Sequence, residues 1–144
     1  ILSLLSSSIV HVGPAGTAMQ MKLAVNAFFG VQVVALSEAL GLLEKEGISK
    51  IAAVDIFNHL PTTSPALQGI GALMAAYNYA PLFPINLVEK DFRYTLALAE
   101  KCGVNFSSAQ TAHRAYKAAI KAGFGLHNIA GVSQLQGIDA NSNP

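Results

Sequence analysis

The chain has 144 residues, 52% of them hydrophobic and 12% charged, with a formal net charge of +1. That length is enough for one domain with its own core, and the near-zero charge argues against nucleic-acid binding, because phosphate contacts need a basic patch. The positive mean hydropathy, +0.44, implies apolar surface that the chain does not cover by itself, and hence a partner surface.

A single cysteine, Cys102, excludes an internal disulfide and fits a reducing compartment such as the cytoplasm. No basic segment precedes Ile1-Leu2-Ser3-Leu4-Leu5, so no signal peptide is read there. The first residue is not Met, and the start reads as a cut point.

Ser6-Ser7-Ser8 reads as a break. Ile9-Val10-His11-Val12 has the β-branched content of a short strand, ended by Gly13-Pro14. Thr17 is a candidate cap for a long helix that stays apolar through Leu43, turns charged at Glu44-Lys45-Glu46 and stops at Gly47. The run Leu23 to Leu36 is interrupted by Asn26 and Gln32, which makes it a core helix rather than a membrane span. Ser49 caps a short helix from Ile51 to about Asn58. Leu60 to Pro65 is a turn, and Ala66 to Tyr77 a weaker helix holed by Gly69 and Gly71. Asn78 to Pro84 is irregular. Leu87 to Lys101 is helical and closed by Cys102-Gly103. Ser107 or Ser108 opens a further helix that reaches Lys121. Ile129 to Leu135 is a last short helix, and the polar tail after Gly137 is frayed. The body is therefore all-α, with several helices around a long central one.

Lys22 and Asn26 are the most informative pair. Four residues apart on a helix, they share a face. On an element that looks buried, a lysine must be paired, deprotonated or functional. Two readings stand. Either the lysine snorkels to the surface while the asparagine bonds locally, or an acid/base lysine sits beside an amide that binds a hydroxyl or carboxylate. Glu89-Lys90-Asp91-Phe92-Arg93 opens a helix after Phe83-Pro84-Ile85-Asn86-Leu87. Such a cluster is ordinarily a solvated face, but here Lys90 and Asp91 can face different partners. Gly13 and Gly16 permit a tight turn or cradle an anion. His11, His59, His113 and His127 lack metal-ligand spacing, so no metal is expected. Neither a G-x-S-x-G nor a G-x-G-x-x-G motif occurs.

Together these segments resemble the C-terminal helical domain of the β-hydroxyacid dehydrogenases, a fold like the C-terminal domain of 6-phosphogluconate dehydrogenase. Gly13, Gly16, Lys22 and Asn26 match the family's linker motif, roughly G-x-x-G-x-G-x-x-x-K-x-x-x-N. Ala35-Leu36-Ser37-Glu38-Ala39-Leu40, Glu46-Gly47-Ile48 and Ser64 resemble its next landmarks. Phe83 with Lys90-Asp91 resembles its F-x-x-x-x-x-x-K-D signature, and Gly123-Phe124-Gly125 its glycine-rich turn. The likeness spans about nine tenths of the chain.

The resemblance implies Lys22 as catalytic acid/base and Asn26 as the catalytic and substrate-holding amide. It implies Lys90, Phe83 and Asp91 at the NAD or NADP cofactor and Gly16 in the linker beside the substrate. It also implies that residues 1–12 are a remnant of an N-terminal Rossmann domain, its last strand included, which would hold most of the cofactor. Residues 13–137 would then be the helical domain and 138–144 a flexible tail. The expected partners are a small hydroxyacid substrate, the Rossmann domain of the same full-length protein and further copies in a homodimer or tetramer. No nucleic acid and no membrane are expected. Ala18 departs from the family's second glycine, Thr62-Thr63-Ser64 lacks a nearby glycine, and Asn128 replaces a common acidic residue. The alternatives are a non-catalytic oligomerisation module on the same scaffold and an imine reductase, a branch that usually replaces the lysine.

Overall fold

The computed structural model describes residues 9–138. The break expected at Ser6-Ser7-Ser8 and most of the polar tail lie outside the described residues. Five α-helices and a terminal 3-10 helix follow one another: α1 Thr17–Lys45, α2 Lys50–Asn58, α3 Pro65–Ala75, α4 Ile85–Lys101, α5 Ser107–Lys121 and the 3-10 helix Ile129–Gly137. Helix α1 spans 29 residues and touches every other helix. It is long and apolar enough to cross a membrane by length and composition, with an 18-residue window of mean hydropathy 1.6. Here its middle is core: Ala27, Val33, Val34, Leu36 and Leu40 are buried beneath the other helices.

Local chemistry sets the helix ends. At the end of α1, Gly47 has φ +85°. Its N–H donates to the Glu44 carbonyl, and the Ile48 N–H donates to that of Leu43. These two bonds satisfy carbonyls that the helix leaves open, and the same pattern closes α4 at Gly103 and α5 at Gly123. Ser49 Oγ accepts from Ala52 N–H and Ser64 Oγ from Leu67 N–H, so each serine caps its helix. Ser64 is thus a structural cap.

Three local expectations are corrected. Residues 9–12 form no strand, and no strand occurs among the described residues. β-branched content gives no ladder without a neighbour to pair with, and the pairing recorded there is a lone antiparallel bridge between Pro84 and Asn128. Thr17 is the first residue of α1 and not its cap; Gly16 holds that place with φ +97° and no side-chain bond. The last short element is a 3-10 helix.

The packing of α4 and α5 on α1 positions everything that follows. Ile85, Val88, Asp91, Phe92 and Thr95 form the buried stripe of α4, and Ala109, Ala112, Tyr116 and Ala119 that of α5. Phe92 and Tyr116 meet over α1 with ring centroids 5.4 Å apart. Tyr116 Oη donates to the Gly30 carbonyl at 2.9 Å.

Candidate active site

Lys22 and Asn26 lie on the first half of α1, and the structure brings one of them to the second motif. Asn26 Nδ2 donates to Asp91 Oδ2 at 2.7 Å, joining residues 65 apart in sequence. Asp91 is only 7% exposed. Its helix is tied down at the same level: Thr95 Oγ1 lies 2.8 Å from the Asp91 carbonyl and 3.2 Å from that of Leu23, within reach of a bond to α1.

Adjacent residues of α4 face different neighbours. Asp91 turns to α1, while Glu89 turns to α5, where its Oε1 meets His113 Nε2 at 2.8 Å; more loosely, it pairs at 3.7 Å with Arg93 Nε one turn on along α4. Lys90 lies between them, half-buried, with no ion pair among the described residues. The cluster that looked like a plain solvated face is therefore a junction of three helices.

Phe83 sits just before α4, half-buried. Its carbonyl accepts from Ile129 N–H at 2.8 Å. Ile85 N–H and Asn86 N–H donate to the carbonyls of His127 and Gly125. The glycine-rich turn thus supplies the acceptors that the uncapped start of α4 needs, and it fixes Phe83 relative to Asp91. Asn128 is buried here and its side chain accepts from Ala130 N–H, which caps the 3-10 helix. An acidic residue would make the same bond, so this departure is accounted for by capping.

Lys22 reaches the surface, the first of the two readings that its sequence left open. Lys22 is exposed, and so are Met19, Met21, Val25 and Phe28 around it, Phe28 by 63%. Within the first two turns of α1, Leu23 is buried beside Thr95 of α4, while Lys22 and its other neighbours there stay exposed. Lys22 and Asn26 are about 6 Å apart along the axis, on an open apolar face. Gly16 is about 15 Å from Asn26 along the same axis and exposed. It shapes the turn: Thr17 N–H donates to Pro14 and Met19 N–H to Gly16, so these amides are not free to cradle an anion.

The larger grooves lie elsewhere. One of about 530 Å³ runs between α4 and α5, lined by Arg93, Leu96, Val104, Phe106 and His113. Another of about 350 Å³ runs between α1 and α5. Neither includes Lys22, Asn26 or Asp91. No group of three or more His, Cys, Asp or Glu positioned for a metal occurs among the described residues.

The sequence reading missed Lys50. Only 7% exposed, it opens α2 and joins the end of α1 to the turn after α3: its Nζ lies 3.0 Å from Glu44 Oε2 and 4.6 Å from the centre of the Tyr77 ring. Tyr77 Oη donates to the same carboxylate at 3.0 Å, from a backbone held at φ +51°. Burial alone would lower the Lys50 pKa, but the Glu44 carboxylate and Tyr77 outweigh it and raise it. The hydrogen bond from Lys50, then that from Tyr77, lowers the Glu44 pKa. A lysine opening an apolar helix six residues after a glutamate, across a glycine turn, was the available signal.

The structure superposes on that of 3-hydroxyisobutyrate dehydrogenase from Salmonella typhimurium with a TM-score of 0.89, at 21% identity over 93% of this chain and 47% of that one. For the enzyme of the same name from Mycobacterium tuberculosis the TM-score is 0.82 at 23% identity. The family described as the NAD-binding domain of NADP-dependent 3-hydroxyisobutyrate dehydrogenase matches residues 16–135, and this chain belongs to it. Among curated relatives, glyoxylate/succinic semialdehyde reductase 1 of Arabidopsis thaliana is 36% identical over 80% of this chain. The cytokine-like nuclear factor N-PAC of Drosophila melanogaster is 28% identical over 84%. The chain spans 40% of the length of the plant reductase and 20% of that of the nuclear factor. The family is one of NAD(P)-dependent hydroxyacid dehydrogenases, and its cofactor is NAD or NADP.

Proposed function

We propose that this chain is the helical C-terminal domain of a reductase that interconverts a β-hydroxyacid and its semialdehyde or keto form. Residues 13–137 form that domain, and residues 1–12 are the end of a preceding Rossmann domain. The observation that carries the reading is the Asn26–Asp91 hydrogen bond, which links the two lysine motifs at one place on the surface. Lys22 projects from the same face of α1 one turn earlier.

The residues present suit a nicotinamide dinucleotide. Lys90, without an ion pair among the described residues, offers a cation for phosphate, and Phe83 offers a flat apolar wall. Bound there, the cofactor supplies a hydride to the carbonyl carbon. Lys22 donates a proton to the carbonyl oxygen in reduction and takes it back in oxidation. Asn26 holds the substrate and Lys22 in place. The exposed Met21, Val25 and Phe28 provide an apolar seat for the second domain, whose docking would exclude water from Lys22. Exposed apolar residues elsewhere, among them Leu42, Ile51 and Ile56, suit contact between copies in a dimer or tetramer. The single exposed cysteine suits a reducing compartment such as the cytoplasm.

A second reading is a non-catalytic oligomerisation module. The relatedness to nuclear factors whose name describes no enzyme favours it; the retained Lys22 favours catalysis. The full-length protein should oxidise NADH or NADPH with glyoxylate or succinic semialdehyde, while this chain alone should not, because the main cofactor site lies outside it. A full-length protein inert with both cofactors and a panel of semialdehydes and ketoacids would leave the module reading standing.

A further inference from the structure

We infer that Asp91 is a positioning residue that fixes which end of the Asn26 amide faces the substrate, making position 26 a hydrogen-bond acceptor for a hydroxyl or ammonium donor. The identity of that donor, a substrate hydroxyl or the Lys22 ammonium, rests on the reading proposed above, whereas the amide orientation follows from geometry alone.

An ionised carboxylate only accepts hydrogen bonds. Of the two ends of the Asn26 amide, the one 2.7 Å from Asp91 Oδ2 is therefore the Nδ2 end. The opposite end, the carbonyl Oδ1, is then directed away from Asp91. With the carboxylate 7% exposed, water competes poorly for this bond. Asp91 itself has little freedom. Thr95 stitches α4 to α1 at the Leu23 carbonyl, and Phe92 lies directly over Gly30, where no side chain intervenes. The two helices are thus fixed on both sides of the Asn26–Asp91 bond.

This orientation selects a class of ligand group. A substrate carboxylate set against Oδ1 would meet an acceptor and be disfavoured. A hydroxyl, or an ammonium, would be received. Without Asp91 nothing on α4 distinguishes the two ends of the amide, and Asn26 would present either one.

The test uses the full-length protein with NADPH and succinic semialdehyde. Asp91→Asn should lower kcat about tenfold with the KM for NADPH changed less than about twofold. Asn26→Asp, which sets two carboxylates face to face, should lower kcat at least as far. The double variant N26D/D91N restores a carboxylate–amide pair with an acceptor still directed outward, and should recover kcat to within about threefold of the parent. A double variant no better than the worse single would overturn the inference. An activity-independent readout is the ¹⁵N-resolved side-chain amide of Asn26, identified by its loss in Asn26→Asp. One of its two protons should resonate downfield in the parent, as a proton donated to a carboxylate does, and lose that displacement in Asp91→Asn. An amide indifferent to Asp91 would overturn the inference. If the parent has no reductase activity, the proposed function fails, and the amide spectrum still decides the orientation.

Discussion

The ring of Phe92 occupies the place where a side chain on Gly30 would have to go. A Cβ at Gly30 would lie 2.5 Å from Phe92 Cε2 and 2.8 Å from its Cζ. This close approach brings α4 down onto α1, and the residue beside Phe92 is the Asp91 that reaches Asn26. Spacing in the core thus sets spacing at the site.

Substituting Gly30 by alanine should therefore act in two places. The ring is fully enclosed and packed on Tyr116, so it cannot yield without shifting α4. Overpacking of this kind costs about 1–3 kcal/mol, which urea unfolding would report. The Asn26–Asp91 bond should lengthen with the shift, and kcat in the full-length protein should fall along with stability.

Tyr116→Phe removes one buried hydrogen bond and little else. The Gly30 carbonyl keeps its place in the α1 ladder, so the expected loss is about 1 kcal/mol. Equilibrium urea unfolding should show a lower midpoint with an unchanged slope.

Stability should fall on both flanks of the pH range. Burial raises the Tyr116 pKa above its ordinary 10.0, so the folded state holds this proton more tightly than the unfolded chain. Its contribution is complete below about pH 10 and declines above it. The Lys50 pKa is raised from 10.5, so its contribution is likewise present below that value and lost as pH rises through the folded-state value. The Glu44 pKa is lowered from 4.5, so its contribution is present above that value and lost as pH falls. Glu44 is 43% exposed, which limits its pair with Lys50 to about 1 kcal/mol. Glu44→Gln should cost about that much at pH 7 and flatten the acid flank. Urea midpoints measured from pH 3 to pH 11 would check both effects.

Most of the fold could be read in the residues, because its signals are local. Gly47, Gly103 and Gly123 stop helices by backbone geometry, and Ser49 caps one, each within a few residues; the Ser64 cap is as local but was read only as part of a turn. What stayed hidden depends on distant neighbours. Ile9 to Val12 reads as a strand by composition, but pairing needs a second segment. Spacing left open whether Lys22 is buried, because burial depends on what packs against the run, and α4 covers Leu23 there but not Lys22. The Asn26–Asp91 contact joins residues from two motifs whose separate roles were legible and whose bond was not.

Lys90→Ala in the full-length protein should raise the KM for NADPH by about tenfold and leave kcat nearly unchanged, as loss of one charged contact to a bound phosphate would. An equal fall in kcat would place Lys90 in the chemical step instead.

The purified chain should self-associate. Its exposed apolar residues away from Lys22 include Leu42, Ile51 and Ile56. Size-exclusion chromatography with light scattering should show a dimer or larger assembly. A well-folded monomer would assign that surface to the docking of the second domain.

The role of Lys22 is tested most directly by steady-state kinetics of Lys22→Ala in the full-length protein. General acid/base catalysis contributes about 100- to 10,000-fold. The expected result is a fall in kcat of that size, with the KM for the carbonyl substrate changed less than about threefold. Turnover close to that of the parent would contradict the assignment of Lys22 as the proton donor and acceptor.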